Sequence, residues 1–459
     1  MKNYPLLCIL ILSAFLRFSG LGYSQYYGDE TKTLYLDKTI PAFEFFMDQR
    51  KGPLQFFVTW VMEKITGGYN EFFMRLPFAI AGFLSVYVFY LLVKKLFNEK
   101  VALAATFLFS ISGFNVAFAR TVQYQSFLVL FGLLSVYLFL RSRLVLSSIS
   151  LAVAFYAHYD ALFYLVPILY LIALKEIKVK NFLKSFAVPF VVLIGIFYIP
   201  YIYKGYFAKN TLNYVLKRIE GRDYTKNNSL YTYFLYNPTF LSVALLFTPL
   251  YLFFKKRIEP NVKVLLFWFI VPFLVFELIV MNPGTHVQNY FFPLFILAAY
   301  VLSEFYDQIK NKRLKIVYLV FLGFGAWGLV LSSLSVYVPT FNKGYPWKTF
   351  ADKKYSLFLY GFPYQRGWDQ IGKYLKSKRA TGFYTDDNAI ASQYYTYGIS
   401  FTPPGPNFMP EYYVRVFDNQ EFGRIESEFF VTSCQFYVKE NEFFVNGKLT
   451  AEIYKRKTP

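Results

Sequence analysis

Cysteine is almost absent from this chain: two residues, Cys8 and Cys434, stand among 459. That excludes a disulfide framework and a cysteine-built metal cluster. Cys8 lies inside an apolar run and reads as a small core residue. Acidic residues are also scarce, 28 Asp and Glu against 48 Lys and Arg, for a net charge of +20. No Gly-X-Ser-X-Gly elbow, Walker loop, HEXXH helix or dinucleotide fingerprint occurs, which removes the common hydrolase, nucleotide and zinc-protease signatures. Internal repeats and low-complexity tracts are missing. No basic recognition helix or aromatic RNA platform accompanies the positive charge, so nucleic acid is excluded as a partner.

What is abundant is apolar surface. Hydrophobic residues make up 56% of the chain and aromatics 22%, above the roughly 45–50% apolar content of soluble domains. They fall in eleven blocks, 5–22, 73–93, 101–117, 122–140, 144–157, 161–174, 185–203, 238–254, 262–281, 288–305 and 314–333. Each approaches the roughly 20 residues that cross a bilayer as a helix. Pro167, Pro189, Pro249 and Pro272 sit inside blocks, as spanning helices tolerate when neighbours satisfy the freed backbone groups. The short blocks around His158-Tyr159-Asp160 suggest a tight hairpin.

The Lys/Arg excess clusters in alternate connections: Lys94, Lys95 and Lys100; Arg141 and Arg143; Lys175 to Lys184; Lys255 to Lys263; Lys310 to Lys315. With Lys2, these mark the cytoplasmic side. Eleven spans with the N-terminus inside place the C-terminus outside, in agreement with the charge bias. The first block is too long for a signal peptide, carries Arg17 and has no small-residue cleavage site, so it is expected to be retained. Two long connections face outward. Residues 23–72 hold amphipathic stretches at Pro41–Met47 and Leu54–Ile65, expected to lie in the interface, and residues 204–237 are expected to be partly helical.

After Pro339 the chain turns polar and Tyr-rich. Trp368–Lys376 has helical periodicity, Thr381–Asp386 reads as a strand ending in a turn, and Phe429–Lys439 reads as another strand. The expected class is an α-helical polytopic membrane protein of about eleven spans. Residues 1–335 form its transmembrane part, and residues 340–459 a small extracytoplasmic α/β domain in a multi-pass plasma-membrane protein.

Asp29-Glu30 follows the first block on the outer side, with Lys32 one helical turn later. By itself the pair reads equally as a loop start or as a helix N-cap. Lys51-Gly52-Pro53-Leu54 ends the same loop, and Glu71 with Arg75-Leu76-Pro77 opens the next span. The string from Arg17 through Gly28-Asp29-Glu30, Lys51-Gly52-Pro53-Leu54, Glu71, Arg75-Leu76-Pro77 and Gly82 resembles the start of the GT-C glycosyltransferases of the protein-O-mannosyltransferase and aminoarabinose-transferase type. Ala119-Arg120, Tyr124, the Ala157-His158-Tyr159 hairpin and Asn289–Pro293 are similar to later parts of that layout, which covers most of residues 1–310.

The resemblance implies an inverting membrane glycosyltransferase, hexosyl or pentosyl, with a polyprenyl-phosphate-linked sugar as donor. The acceptor would be a protein, lipid or glycan on the outer face. It implies Asp29 as base, with Glu30 beside it positioning the acceptor or Asp29, and burial raising the Asp29 pKa. It places Lys32, Lys51 and Tyr290 at the donor phosphate. The residues alone also read as a snorkelling lysine at Lys51 and a belt tyrosine at Tyr290. Arg120, Gln125, His158, Arg218 and Arg222 are further candidates for substrate contact.

The chain departs from the pattern in three places. Arg50 replaces the metal-binding Glu of the aminoarabinose branch, Gln125 replaces a second Asp, and Asn289 replaces an Arg before Tyr290. No cofactor is called for, and a divalent metal has no support in the sequence. Asp386-Asp387 is expected to be a turn rather than a nucleotide-sugar motif. A transporter or flippase of a lipid-linked sugar, and an inactive assembly protein, remain as alternatives. The missing internal symmetry argues against the first, and the Asp29, Glu30 and Lys51 set against the second.

Overall fold

A computed structural model describes residues 4–26, 28–174, 176–221, 239–337, 365–404, 409–417 and 433–457. Each of the eleven apolar blocks carries helix. Five helices are long and apolar enough to cross a membrane: Glu71–Leu96, Val179–Tyr203, Pro260–Ile279, Gly284–Gln308 and Lys312–Leu331. A sixth span arises if Glu99–Ile111 and Gly113–Ala119, bent by 59°, count as one, and five further apolar helices are shorter.

The first helix, Tyr4–Phe18, shows why such segments belong in lipid. Leu6, Ile9, Ser13 and Leu16 form a buried stripe, while Leu7, Ile11 and Phe15 stay exposed on the opposite face. A helix that is apolar on its outer face as well has no reason to meet water. Glu71–Leu96 begins on an Asn70 cap, whose side chain accepts from the Phe72 N–H at 3.0 Å, and ends in Lys94 and Lys95. Gly82 permits close crossing of this helix by Gly113–Ala119: a Cβ there would lie 2.5 Å from that of Ala119.

The connection between the first helix and Glu71–Leu96 folds into three pieces, Gly28–Thr31, Ala42–Met47 and Leu54–Thr66. The last two match the expected amphipathic stretches. Beyond the membrane-type helices, β1 (Gly382–Thr385), β2 (Ser400–Phe401), β3 (Tyr412–Val416), β4 (Tyr437–Val445) and β5 (Lys448–Arg456) form one sheet in the order β2-β1-β3-β5-β4. β1 is parallel to β2 and β3, and β5 is antiparallel to β3 and β4. The helix Trp368–Ser377 lays Trp368, Ile371 and Leu375 against this sheet at helical spacing.

The sequence-expected strand at 429–439 is displaced. Residues 429–432 lie outside the described residues, Cys434–Phe436 is a 3-10 turn, and the strand runs from Tyr437 to Val445. Its extent is set by a two-residue hairpin turn at Asn446 and Gly447, both with positive φ (50° and 75°), the backbone that Asn-Gly favours.

The C-terminal layer is bound to the loop just before Asp29. The Arg366 N–H donates to Gln25 Oε1 at 2.8 Å, and the Arg366 guanidinium donates to the Tyr26 carbonyl at 2.8 Å. Asp387 holds that guanidinium at 3.1 Å and accepts from Trp368 Nε1 at 2.6 Å. The Tyr26 N–H donates to the Tyr395 hydroxyl at 2.7 Å. Asp386-Asp387 forms the expected bend, and both carboxylates accept hydrogen bonds within the fold.

Candidate functional site

Glu30 and Arg75 fix the backbone that presents Asp29. Both are buried, and the guanidinium grips both Glu30 oxygens at 2.8 Å. Arg75 also donates to the carbonyls of Leu21, Ser24 and Gln25, while Glu30 accepts the Val122 N–H at 2.9 Å. A buried bidentate pair of this kind is geometrically strict. It leaves Glu30 lining neither cavity described below; its carboxylate holds the loop that carries Asp29 and does not face substrate space.

Asp29, next in line, opens onto a cavity of about 480 Å3. Lys32 donates to it at 2.7 Å. Lys51 lines the same cavity, donates to Gln123 Oε1 at 3.0 Å and lies 4.8 Å from the centre of the Tyr124 ring. Gly52 lets the Lys51 backbone press against the end of the helix Leu144–Ala157: a Cβ on Gly52 would meet the Tyr156 carbonyl oxygen at 2.1 Å. Arg50, Lys209 and Lys217 complete the basic lining, so five cations face one carboxylate.

This field sets the charge states. Burial pushes the Asp29 carboxyl up, but the charges of Lys51 and Lys32, the Lys32 hydrogen bond and Arg50 outweigh it and leave it at about 2. The rise expected from burial alone is reversed, because the cations stand close enough to win. Solvent still reaches about a third of the Asp29 side chain (34%) through the cavity. Burial lowers Lys51 to about 7; Asp29 opposes the drop, while Arg50, Lys32 and Arg218 add to it.

A smaller cavity, about 80 Å3, shares Asp29, Arg50, Lys51 and Tyr214 with the first. It adds Gln125, His158, Arg218 and His286. Arg218 donates to the Asn282 carbonyl at 2.7 Å. Asp160 joins the two histidines: its carboxylate lies 3.1 Å from His158 Nδ1 and 2.8 Å from His286 Nδ1.

The remaining candidates are placed elsewhere. Arg120 is buried and donates to the carbonyls of Leu16, Arg17 and Gly20, closing the end of the first helix rather than lining either cavity. Tyr290 is fully buried among Phe269, Phe273 and Phe291, at ring distances of 6.0, 5.5 and 5.3 Å, and also reaches neither cavity. The helix phase aims it into the core. Arg222 lies outside the described residues.

Sequence reading did not bring Arg50, Lys209, Lys217, Asp160 and His286 together at one site. The signal available for the lysines was their defiance of the charge bias: Lys204, Lys209, Lys217 and Arg218 cluster in a connection assigned to the outer face, where Lys and Arg are normally thin. Nothing local linked Asp160 to His286, 126 residues later.

Residues 50–203 match the family described as dolichyl-phosphate-mannose-protein mannosyltransferase. The chain is similar in structure to ArnT from Cupriavidus metallidurans bound to undecaprenyl phosphate, with a TM-score of 0.56 at 12% identity, covering 99% of this chain and 98% of that one. The apo state of the same protein gives 0.54 at 12% identity, with 98% and 97% covered. An oligosaccharyltransferase from Archaeoglobus fulgidus, tethered with an acceptor peptide, gives 0.47 at 14% identity, with 89% and 60% covered. No curated protein matches the sequence. The chain has the GT-C fold.

Proposed function

We propose that this protein is a membrane glycosyltransferase that moves a sugar from a polyprenyl-phosphate carrier to an acceptor on the extracytoplasmic side, inverting the anomeric centre, with Asp29 as base. The observation that carries the reading is the meeting of Asp29, Lys32 and Lys51 on one cavity, lined by the connection that follows the first helix. The fold shared with a protein that binds undecaprenyl phosphate supports the donor class.

In the proposed reaction an acceptor oxygen attacks the anomeric carbon as the bond from that carbon to the phosphate oxygen breaks. The lipid phosphate leaves with the bonding pair, and Asp29 takes the acceptor proton. Lys51 and Lys32 hold the phosphate oxygens as charge builds on them. The cations that lower the Asp29 carboxyl also weaken it as a base in the empty cavity. A phosphate anion beside Lys51 and Lys32 offsets part of their pull, so the carboxylate becomes a stronger base only once the donor has bound.

Asp29→Asn keeps the shape and removes the basicity. Transfer of labelled sugar should fall by roughly 10²- to 10⁴-fold, with polyprenyl-phosphate binding retained. Turnover near the wild-type rate would remove Asp29 from the role. If labelled sugar crosses the bilayer without becoming joined to any acceptor, the flippase reading takes its place.

A further inference from the structure

Both histidines of the chain, His158 and His286, meet at one buried carboxylate. We infer that His158, Asp160 and His286 form a binding site for one divalent transition-metal cation of the zinc class, opening onto the cavity that Asp29 and Lys51 share. The three ligand atoms lie within 4.8 Å of one another, and all three residues are buried. Two imidazoles and one carboxylate suit zinc, cobalt or manganese better than magnesium or calcium, which favour oxygen alone.

The hydrogen bonds prepare the set for a cation. The Asp160 N–H lies 3.1 Å from His158 Nδ1, a contact that holds the ring beside the carboxylate. The same nitrogen lies 3.1 Å from Asp160 Oδ1, a separation that two ligands of one ion can hold.

The surroundings hold the ligands in place, as outer partners do at metal sites. Asn289 Nδ2 donates to Asp160 Oδ2 at 3.0 Å. Tyr124 stacks on His158, with ring centres 3.9 Å apart. Two buried amide oxygens nearby, Oδ1 of Asn289 and Oε1 of Gln125, accept no hydrogen bond among the described residues. They suit the waters of a partly hydrated ion. His158 and His286 both line the smaller cavity, which leaves an open side for a water or a phosphate oxygen. If the glycosyltransferase reading holds, the ion stands where it can take an oxygen of the donor phosphate beside Lys51.

The test uses the full chain in detergent, carrying an affinity tag free of histidine and stripped with a chelator. Titration with Zn2+ followed by calorimetry should give one equivalent per chain, and Co2+ should give the visible absorption of a protein-bound ion. His286→Ala should abolish that equivalent, and Asn289→Ala should weaken it by about 10-fold or more. The wild-type Co2+ spectrum needs no variant to fold. A featureless spectrum with no stoichiometric uptake overturns the site, as does unchanged affinity in a folded His286→Ala protein. Metal uptake is read without turnover, so this outcome is separate from the Asp29→Asn result. A silent site beside an Asp29-dependent transferase overturns only the metal, and a metal-binding protein without transferase activity upholds the site and overturns the transferase reading.

Discussion

At the residue scale, the site turns on how one carboxylate and its lysines share charge. Lys51, brought to about 7 by burial, is charged below that pH and neutral above it in the empty cavity. A bound phosphate pulls it back to the charged form. Affinity for polyprenyl phosphate should therefore weaken as pH rises through about 7, by about 10-fold for one charge-assisted contact. Lys51→Arg should flatten that dependence, since a guanidinium stays charged throughout. Dissociation constants at pH 6 and pH 8.5 check both expectations, and an unchanged profile in the variant would detach Lys51 from the phosphate. Asp29, Lys32 and Lys51 were legible in sequence because they lie within one loop, at spacings that a known motif repeats. Glu30 was legible as part of the pair, with the positioning of Asp29 among its expected tasks, but its direction was not. Which of two adjacent carboxylates faces the cavity depends on Arg75, 45 residues away. Tyr290 failed to reach the cavity for the same kind of reason. Its direction is decided by Phe269 and Phe273 on a neighbouring helix, and a single sequence does not record helix phase relative to neighbours.

At the scale of elements, the segment Lys51-Gly52-Pro53 depends on its closeness to the helix Leu144–Ala157. Gly52→Ala would set a methyl group against the Tyr156 carbonyl, and backbone cannot yield as a flexible side chain can. The expected cost is about 1–3 kcal/mol, visible as a lower midpoint of thermal unfolding. A raised KM for the lipid donor should accompany it, because the shifted backbone carries Lys51. Wild-type stability and KM together would show that the loop relaxes freely. The helices themselves were readable as apolar runs, since hydrophobic length alone decides them. The β4–β5 hairpin was missed although Val445-Asn446-Gly447-Lys448 spells its turn. Its strands are mostly polar, with Lys439, Glu440, Asn441 and Glu442 in sequence, and a one-faced sheet needs few apolar positions.

At the scale of the molecule, the C-terminal layer and the membrane-type helices meet at the residues that precede Asp29. Arg366 is the hub, bonded to Gln25, Tyr26 and Asp387. Arg366→Ala should loosen that grip while leaving Lys32 and Lys51 untouched. The expected result is a kcat lower by on the order of 10- to 100-fold, the cost of about 1 Å of misplacement, with lipid-phosphate affinity within about twofold of wild type. Equal losses in both would point to a general loss of folding instead.

The distance along the chain between the partners of this grip also orders the making of the protein. Gln25 and the Arg366 N–H that it accepts are 341 residues apart, and contacts so remote in sequence form late. In synthesis from the N-terminus, the apolar helices up to Tyr337 are all made before Arg366. The grip on the loop before Asp29 therefore closes only once Arg366 has been made, so that loop is the last part of the cavity wall to be pinned.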